Sequence, residues 1–191
     1  FEEDGNYMGL VAMDGTSSWI QSMGMDKGGK MYICYYSNTG SSGGYVLTEV
    51  DFDNRKMGET YSDFPATGSF GPGREKDILT YDDGKVYEYD LATKTLEELF
   101  DWMDSDINGS YVENVGYLED GRIVASISDW ESNENSIAVL TKTDAEQVVQ
   151  KETIVIATLS SAYDIRSSAV KFNKSSDKYR ITVREYFDYD Y

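Results

Sequence analysis

Apolar and polar positions alternate in short bursts along most of this chain. Runs such as Met31-Tyr32-Ile33-Cys34-Tyr35 and Arg122-Ile123-Val124-Ala125-Ser126-Ile127 are bounded by Gly- and Asp-rich turns, the signature of strands in hairpins. The turns are Lys27-Gly28-Gly29, Ser42-Gly43-Gly44, Asp82-Asp83-Gly84 and Glu119-Asp120-Gly121. Their glycines tolerate the backbone conformations that tight turns demand. Helical spacing is scarce. "TLEELFDWMDSD" sets Leu96, Leu99, Phe100 and Met103 on one helical face, but its place in a repeat favours strand.

The repeat is the main signal. "WIQSMGMDKGGKMYICYYS" overlays "YVENVGYLEDGRIVASISD" without a gap: Trp19 falls on Tyr111, Gly24 on Gly116 and Met31 on Ile123, a constant offset of 92. Half of that offset leads from Lys30 to Lys76, where Asp77–Tyr81 forms an intermediate copy. Tyr179–Val183 reads as a fourth copy, in "SSAVKFNKSSDKYRITVREY". A second register joins "EVDFDNRKMGETY" to "EYDLATKTLEELF" at a constant offset of 39, and "SIAVLTKTDAEQVVQ" is a looser relative. Each reads as strand, polar turn, strand.

Small antiparallel sheets with a period near 46 residues predict an all-β fold: a β-propeller-like array of about four antiparallel blades. The repeats run over residues 17–61, 66–104, 110–158 and 165–191 of a single domain. The alternative is a two-sheet β-sandwich, which gives no reason for a constant offset. The fourth copy stops before its partner hairpin, so the ring reads as incomplete. Two expectations follow: the chain belongs to a longer protein, or a strand over Tyr7–Met13 pairs with one over Tyr179–Tyr186 to make a shared blade.

Composition narrows the function classes. The 191 residues carry 35 acidic and 17 basic side chains, a net charge of −18, which repels nucleic acid and anionic membranes. There is no histidine, which removes the commonest general base and zinc ligand. The one cysteine, Cys34, lies in an apolar run and reads as a buried, slow-reacting thiol. No apolar run approaches the roughly 20 residues of a membrane span. The first residue is Phe1, which reads as a mature or trimmed segment.

The text "DGKVYEYDLATKTLEELFDWMDSDING" followed by "VGYLEDGRIVA" resembles the propeller-type repeats of extracellular lipoproteins of Gram-positive gut bacteria. In some of these, such repeats precede a domain similar to the solute-binding proteins of ABC transporters. The resemblance implies a cell-surface protein, lipid-anchored outside this segment, engaged in nutrient capture. None of the 191 residues reads as the solute-binding domain itself.

Two sets of residues are candidates for a site. In "DSDING", Asp104, Asp106 and Asn108 put oxygens at alternate positions before Gly109, like the start of a Ca²⁺ loop. Val115 stands where such a loop ends in Glu, so the pattern is half complete, and an acidic turn between strands is the competing reading. Trp130 and Trp102 are candidate sugar-stacking surfaces, with Trp130 the more exposed, in the loop "SDWESNEN". Trp19 reads as a packing residue, because it is the repeat equivalent of Tyr111. "GSFGPG" lacks the Lys-Ser/Thr of a phosphate loop and reads as a connection between blades. No catalytic residue is assigned.

The expected function is a non-catalytic binding or scaffold module that captures a carbohydrate or peptide, or supports a neighbouring domain or protein. The alternative is a secreted propeller-fold glycoside hydrolase or lyase.

Overall fold

The computed structural model describes residues 9–11, 13, 19–37, 44–62, 64, 69–144, 150–159 and 163–186. Among these residues strands dominate, with one α-helix. Sheet 1 is a four-stranded antiparallel meander of β1 (Ile20–Met25), β2 (Met31–Ser37), β3 (Gly44–Asp51) and β4 (Lys56–Ser62). Sheet 2 repeats it with β5 (Phe70–Pro72), β6 (Ile78–Tyr81), β7 (Lys85–Asp90) and β8 (Thr95–Asp101). Sheet 3 contains β9 (Val112–Tyr117), β10 (Ile123–Asp129) and β11 (Glu134–Leu140).

The repeat offsets are structural. Adding 92 to the bounds of β1 and β2 gives those of β9 and β10, and adding 39 to those of β4 gives β8. "TLEELFD" is strand, as its repeat position requires, and a 3-10 turn follows at Trp102–Ser105. The second strand expected in "SIAVLTKTDAEQVVQ" falls largely outside the described residues.

The sheets pack in series. Tyr32, Cys34 and Leu47 of sheet 1 meet Phe70, Ile78 and Tyr89 of sheet 2 in one buried cluster. On the opposite face of sheet 2, Leu79, Tyr81 and Val86 meet Val112, Ile123 and Ala125 of sheet 3, around a fully buried Trp102. Side chains on a strand alternate between faces, so each pair of adjacent residues such as Ile78 and Leu79 feeds two cores. A sheet covered on both faces is not part of a two-sheet sandwich. The first strands, β1, β5 and β9, lie side by side. At Gly24 a Cβ would run into the Phe70 carbonyl, so β1 and β5 approach closely only because a glycine stands there. The described residues form no closed ring.

Cys34 is fully buried in the first cluster, and burial pushes its thiol up to about 12. A group that ionises only there is a poor nucleophile at neutral pH.

The C-terminal segment departs from the repeat. β12 (Glu152–Thr158), α1 (Tyr163–Ser175) and β13 (Tyr179–Glu185) form a β-α-β unit whose strands pair in parallel, Ile154 with Ile181 and Ile156 with Val183. The strand expected at Tyr179–Val183 exists, but it is not a fourth blade copy. Parallel pairing needs a crossover, and α1 supplies it. Among the described residues this strand pairs with β12 alone, and the expected partner over Tyr7–Met13 is described only in part. Residues 9–11 and 13 are not strand, and residues 7 and 8 lie outside the described set.

The helix forms because Ala169, Val170 and Asn173 share one buried face, which packs with Met103, Ile181 and Val183. Asp164 in the first turn and Lys174 in the last suit the helix dipole. Asn173 is fully buried and ties helix to strand: its Oδ1 accepts from Ile181 N at 2.7 Å and its Nδ2 donates to Ile181 O at 3.0 Å. No helix among the described residues is long and apolar enough to cross a membrane.

Candidate functional site at the seam

The β-α-β unit is clipped to the sheet stack by two arginines. Arg180 donates to Met103 O at 3.1 Å and Asp104 O at 2.8 Å, and its guanidinium lies 3.1 Å from Asp106 Oδ1. The Asp106 contact is an ion pair without hydrogen-bond alignment. Arg166 donates to Asp83 O at 2.7 Å and pairs with Glu185 at 3.1 Å.

These clips leave a cleft of about 210 Å³ between α1 and sheet 3. One wall is α1, with Ser167, Val170, Lys171 and Lys174. The other comes from Asp106–Asn108, Tyr111, and the β10–β11 hairpin with Ile127, Asp129, Glu134 and Ser136. A relay that runs from buried Tyr111 and Ser167 to exposed Glu131 and Lys171 holds the walls in register. Tyr111 OH donates to Ser167 Oγ at 3.3 Å, Ser167 donates to Glu131 Oε2 at 3.0 Å, and Lys171 pairs with the same oxygen at 3.5 Å.

Asp129 opens a four-residue turn, and its Oδ1 accepts from Glu131 N at 2.9 Å and Ser132 N at 3.1 Å. Partial burial pushes its pKa up, but the hydrogen bonds from Ser132 and Glu131 outweigh that and hold it below the usual carboxylate range. Asp51 and Asp90 open turns of the same kind. The residues four beyond each aspartate, Arg55, Lys94 and Asn133, all have positive φ, between 55° and 58°.

The sequence candidates land around this cleft in different ways. Asp106 and Asn108 line it. Asp104 is exposed and, like Asp106, faces Arg180. The loop is therefore organised around a guanidinium, and a cation binding there would have to displace it. Among the described residues no group of three or more His, Cys, Asp or Glu side chains is placed to hold a metal.

Asn108 is buried, and its Oδ1 caps the following 3-10 turn by accepting from Ser110 N at 3.3 Å. That bond fixes the orientation of the amide, and Nδ2 is left with no hydrogen-bond partner. Gly109 is explained by sterics: a Cβ there would strike Asp83 O and the Trp102 ring.

Trp130 is exposed and stands edge-on to Tyr111, ring centroids 5.8 Å apart, beside the cleft. Trp102 corrects the expectation of a ligand surface. It is fully buried between sheets 2 and 3, its Nε1 donating to Asp82 O at 3.0 Å, so its ring offers no face to a ligand. Trp19, expected to pack, is 79 % exposed although its repeat equivalent Tyr111 is buried. The repeat had no counterpart for α1, so Ser167, Lys171 and Lys174 carried no signal as cleft residues. Ser136 was read only as strand, and Glu134 only as part of the loop "SDWESNEN".

Comparison with family models, curated proteins and solved structures returned no match for this chain. The functional reading therefore rests on the geometry.

Proposed function

We propose that this chain is a non-catalytic binding module of an extracellular bacterial surface lipoprotein, with a small polar solute, a carbohydrate or peptide, as its ligand. The observation that carries this reading is the cleft at the seam. It is concave and braced by the Tyr111–Ser167–Glu131–Lys171 relay. A few polar groups converge on an otherwise half-apolar surface, as in small-molecule sites. Trp130 flanks it with an exposed ring.

The β-α-β unit supports the link to a neighbouring domain. Ile154-Val155-Ile156-Ala157 is apolar toward both faces, as in parallel strands covered on both sides, yet Ile154 is 45 % and Val155 49 % exposed. The unit thus presents a face and an edge suited to further layers. The net charge of −18 suits a surface-displayed protein.

A hydrolase or lyase draws less support. Glycoside cleavage uses one carboxyl whose pKa is raised, and Asp129 in this cleft is shifted the other way. The test is a screen of oligosaccharides and short peptides by ligand-observed NMR against the intact protein. Saturation transfer to an unmodified ligand is the expected result. Cleavage of a member of the panel would replace the binding reading with the enzymatic one.

A further inference from the structure

The unpaired charges of the cleft narrow the ligand class, an inference that rests on the binding reading above. Of the five charged residues that line the cleft, Lys171 is committed to Glu131, Asp106 to Arg180, and Asp129 to the backbone N–H groups of its own turn. Two charges on the walls remain: Lys174 on α1 and Glu134 at the start of β11, and neither has an ion-pair partner among the described residues. They belong to opposite walls, the helix and the hairpin. A third group has its own unmet demand. Asn108 is 4 % exposed, its Oδ1 is fixed by Ser110 N, and Nδ2 is a buried donor with no acceptor. An unsatisfied buried donor is costly, and a ligand that brings an acceptor relieves that cost.

We propose that the cleft receives a small zwitterion, a free α-amino acid or a dipeptide. Its carboxylate lies toward Lys174 and the Asn108 amide, and its ammonium toward Glu134. A neutral sugar would supply hydroxyls to all three groups but would neutralise neither charge. A simple anion would satisfy Lys174 and be repelled by Glu134 and Asp129. The volume of about 210 Å³ is below the roughly 300–1,000 Å³ of sites for drug-sized ligands, which favours a ligand of this size over an oligomer.

The experiment is calorimetric titration of the intact protein with L-glutamine and glycyl-serine. The comparison ligands are their N-acetylated and C-amidated forms, and D-glucose and D-galactose. The variants are Lys174→Met, Glu134→Gln and Asn108→Asp, the last keeping the capping oxygen while removing the donor. Because Asn108→Asp buries a carboxyl that can disturb folding, the two surface variants carry the test on their own. The expected result is binding of the free zwitterions, weakened about tenfold by blocking either end. Lys174→Met should weaken the free and amine-blocked forms but leave the carboxyl-blocked forms unchanged, with Glu134→Gln showing the converse. Binding of glucose or galactose that is indifferent to both variants would overturn the zwitterion while leaving a binding module in place. Silence from every ligand would overturn the zwitterion, and the broader NMR screen then decides the binding reading separately.

Discussion

The sheet stack and the β-α-β unit bury apolar surface by different means. Between sheets, each contact face is matched by an equivalent face on the neighbour, and Leu47, Ile78, Leu79, Val86 and Trp102 are completely enclosed. In the β-α-β unit a single helix packs on β13 and leaves β12 largely uncovered. Ile154, Ile165 and Phe172 stay between 37 % and 45 % exposed, and the unit depends on Asn173 and two arginine clips for its position. A repeated sheet supplies its own partner, whereas a lone helix on a parallel pair does not. The candidate site lies where the two arrangements meet, and it exists because the second covers less than it could.

The largest effect that would break this contrast is in the stack. Trp102→Ala should lower stability by about 3–5 kcal/mol in urea unfolding, because it empties space enclosed by two sheets. A loss under about 1 kcal/mol would mean that sheets 2 and 3 do not share a core.

Asn173→Ala should cost less, about 1–3 kcal/mol, by leaving the Ile181 backbone groups without their side-chain partner. Hydrogen exchange separates the regions: the Ile181 amide should exchange faster while the amides of β6 keep their protection. Equal acceleration in both would show one cooperative unit.

Arg180→Met sharpens the account of the Asp104–Asp106 loop. Calorimetry at millimolar Ca²⁺ should show no heat of binding for the native protein. A weak response should appear once the guanidinium is gone. A native response would place the cation, rather than Arg180, at the centre of that loop.

The smallest effect concerns pH. Burial raises the Asp101 carboxyl despite the hydrogen bond from Met103 N, so the folded state holds its proton more tightly than the unfolded chain. Asp101 therefore disfavours folding at neutral pH. This penalty fades as pH falls through its raised folded value toward the ordinary 3.8. Asp129 acts in the opposite sense: its contribution is full above 3.8 and is lost as pH falls through its depressed folded value. Asp101→Asn should remove the first trend and leave the second, as read from urea midpoints between neutral and mildly acidic pH.

Much of the stack was legible because repetition constrains it. The constant offset of 92 fixed β1, β2, β9 and β10 together, and the offset of 39 overrode the helical spacing of "TLEELF". The same reasoning failed at residues 152–186. Once Tyr179–Val183 was matched to the central strands, the run of Ala169, Val170 and Asn173 was read as part of the fourth repeat copy, although its spacing is helical. Tertiary pairing, parallel with β12 and not antiparallel with a hairpin partner, is invisible to a pattern that both geometries share. The site was half legible. Asp106 and Asn108 drew notice for their oxygens, yet one meets an arginine from 74 positions away and the other lines a wall completed by α1. Trp102 drew notice as an aromatic ring, and only the packing shows that both of its faces are taken.

The central claim is that β12, α1 and β13 form a parallel unit docked on the stack through the helix, which creates the cleft. Interstrand and side-chain nuclear Overhauser contacts in the intact protein test it most directly. The account predicts that contacts between β12 and β13 advance together along both strands, Ile154 with Ile181, Ile156 with Val183 and Thr158 with Glu185, alongside contacts between Tyr111 and Ser167. An antiparallel ladder between β12 and β11, with no contact from Ser167 to Tyr111, would contradict it and restore a fourth strand to sheet 3.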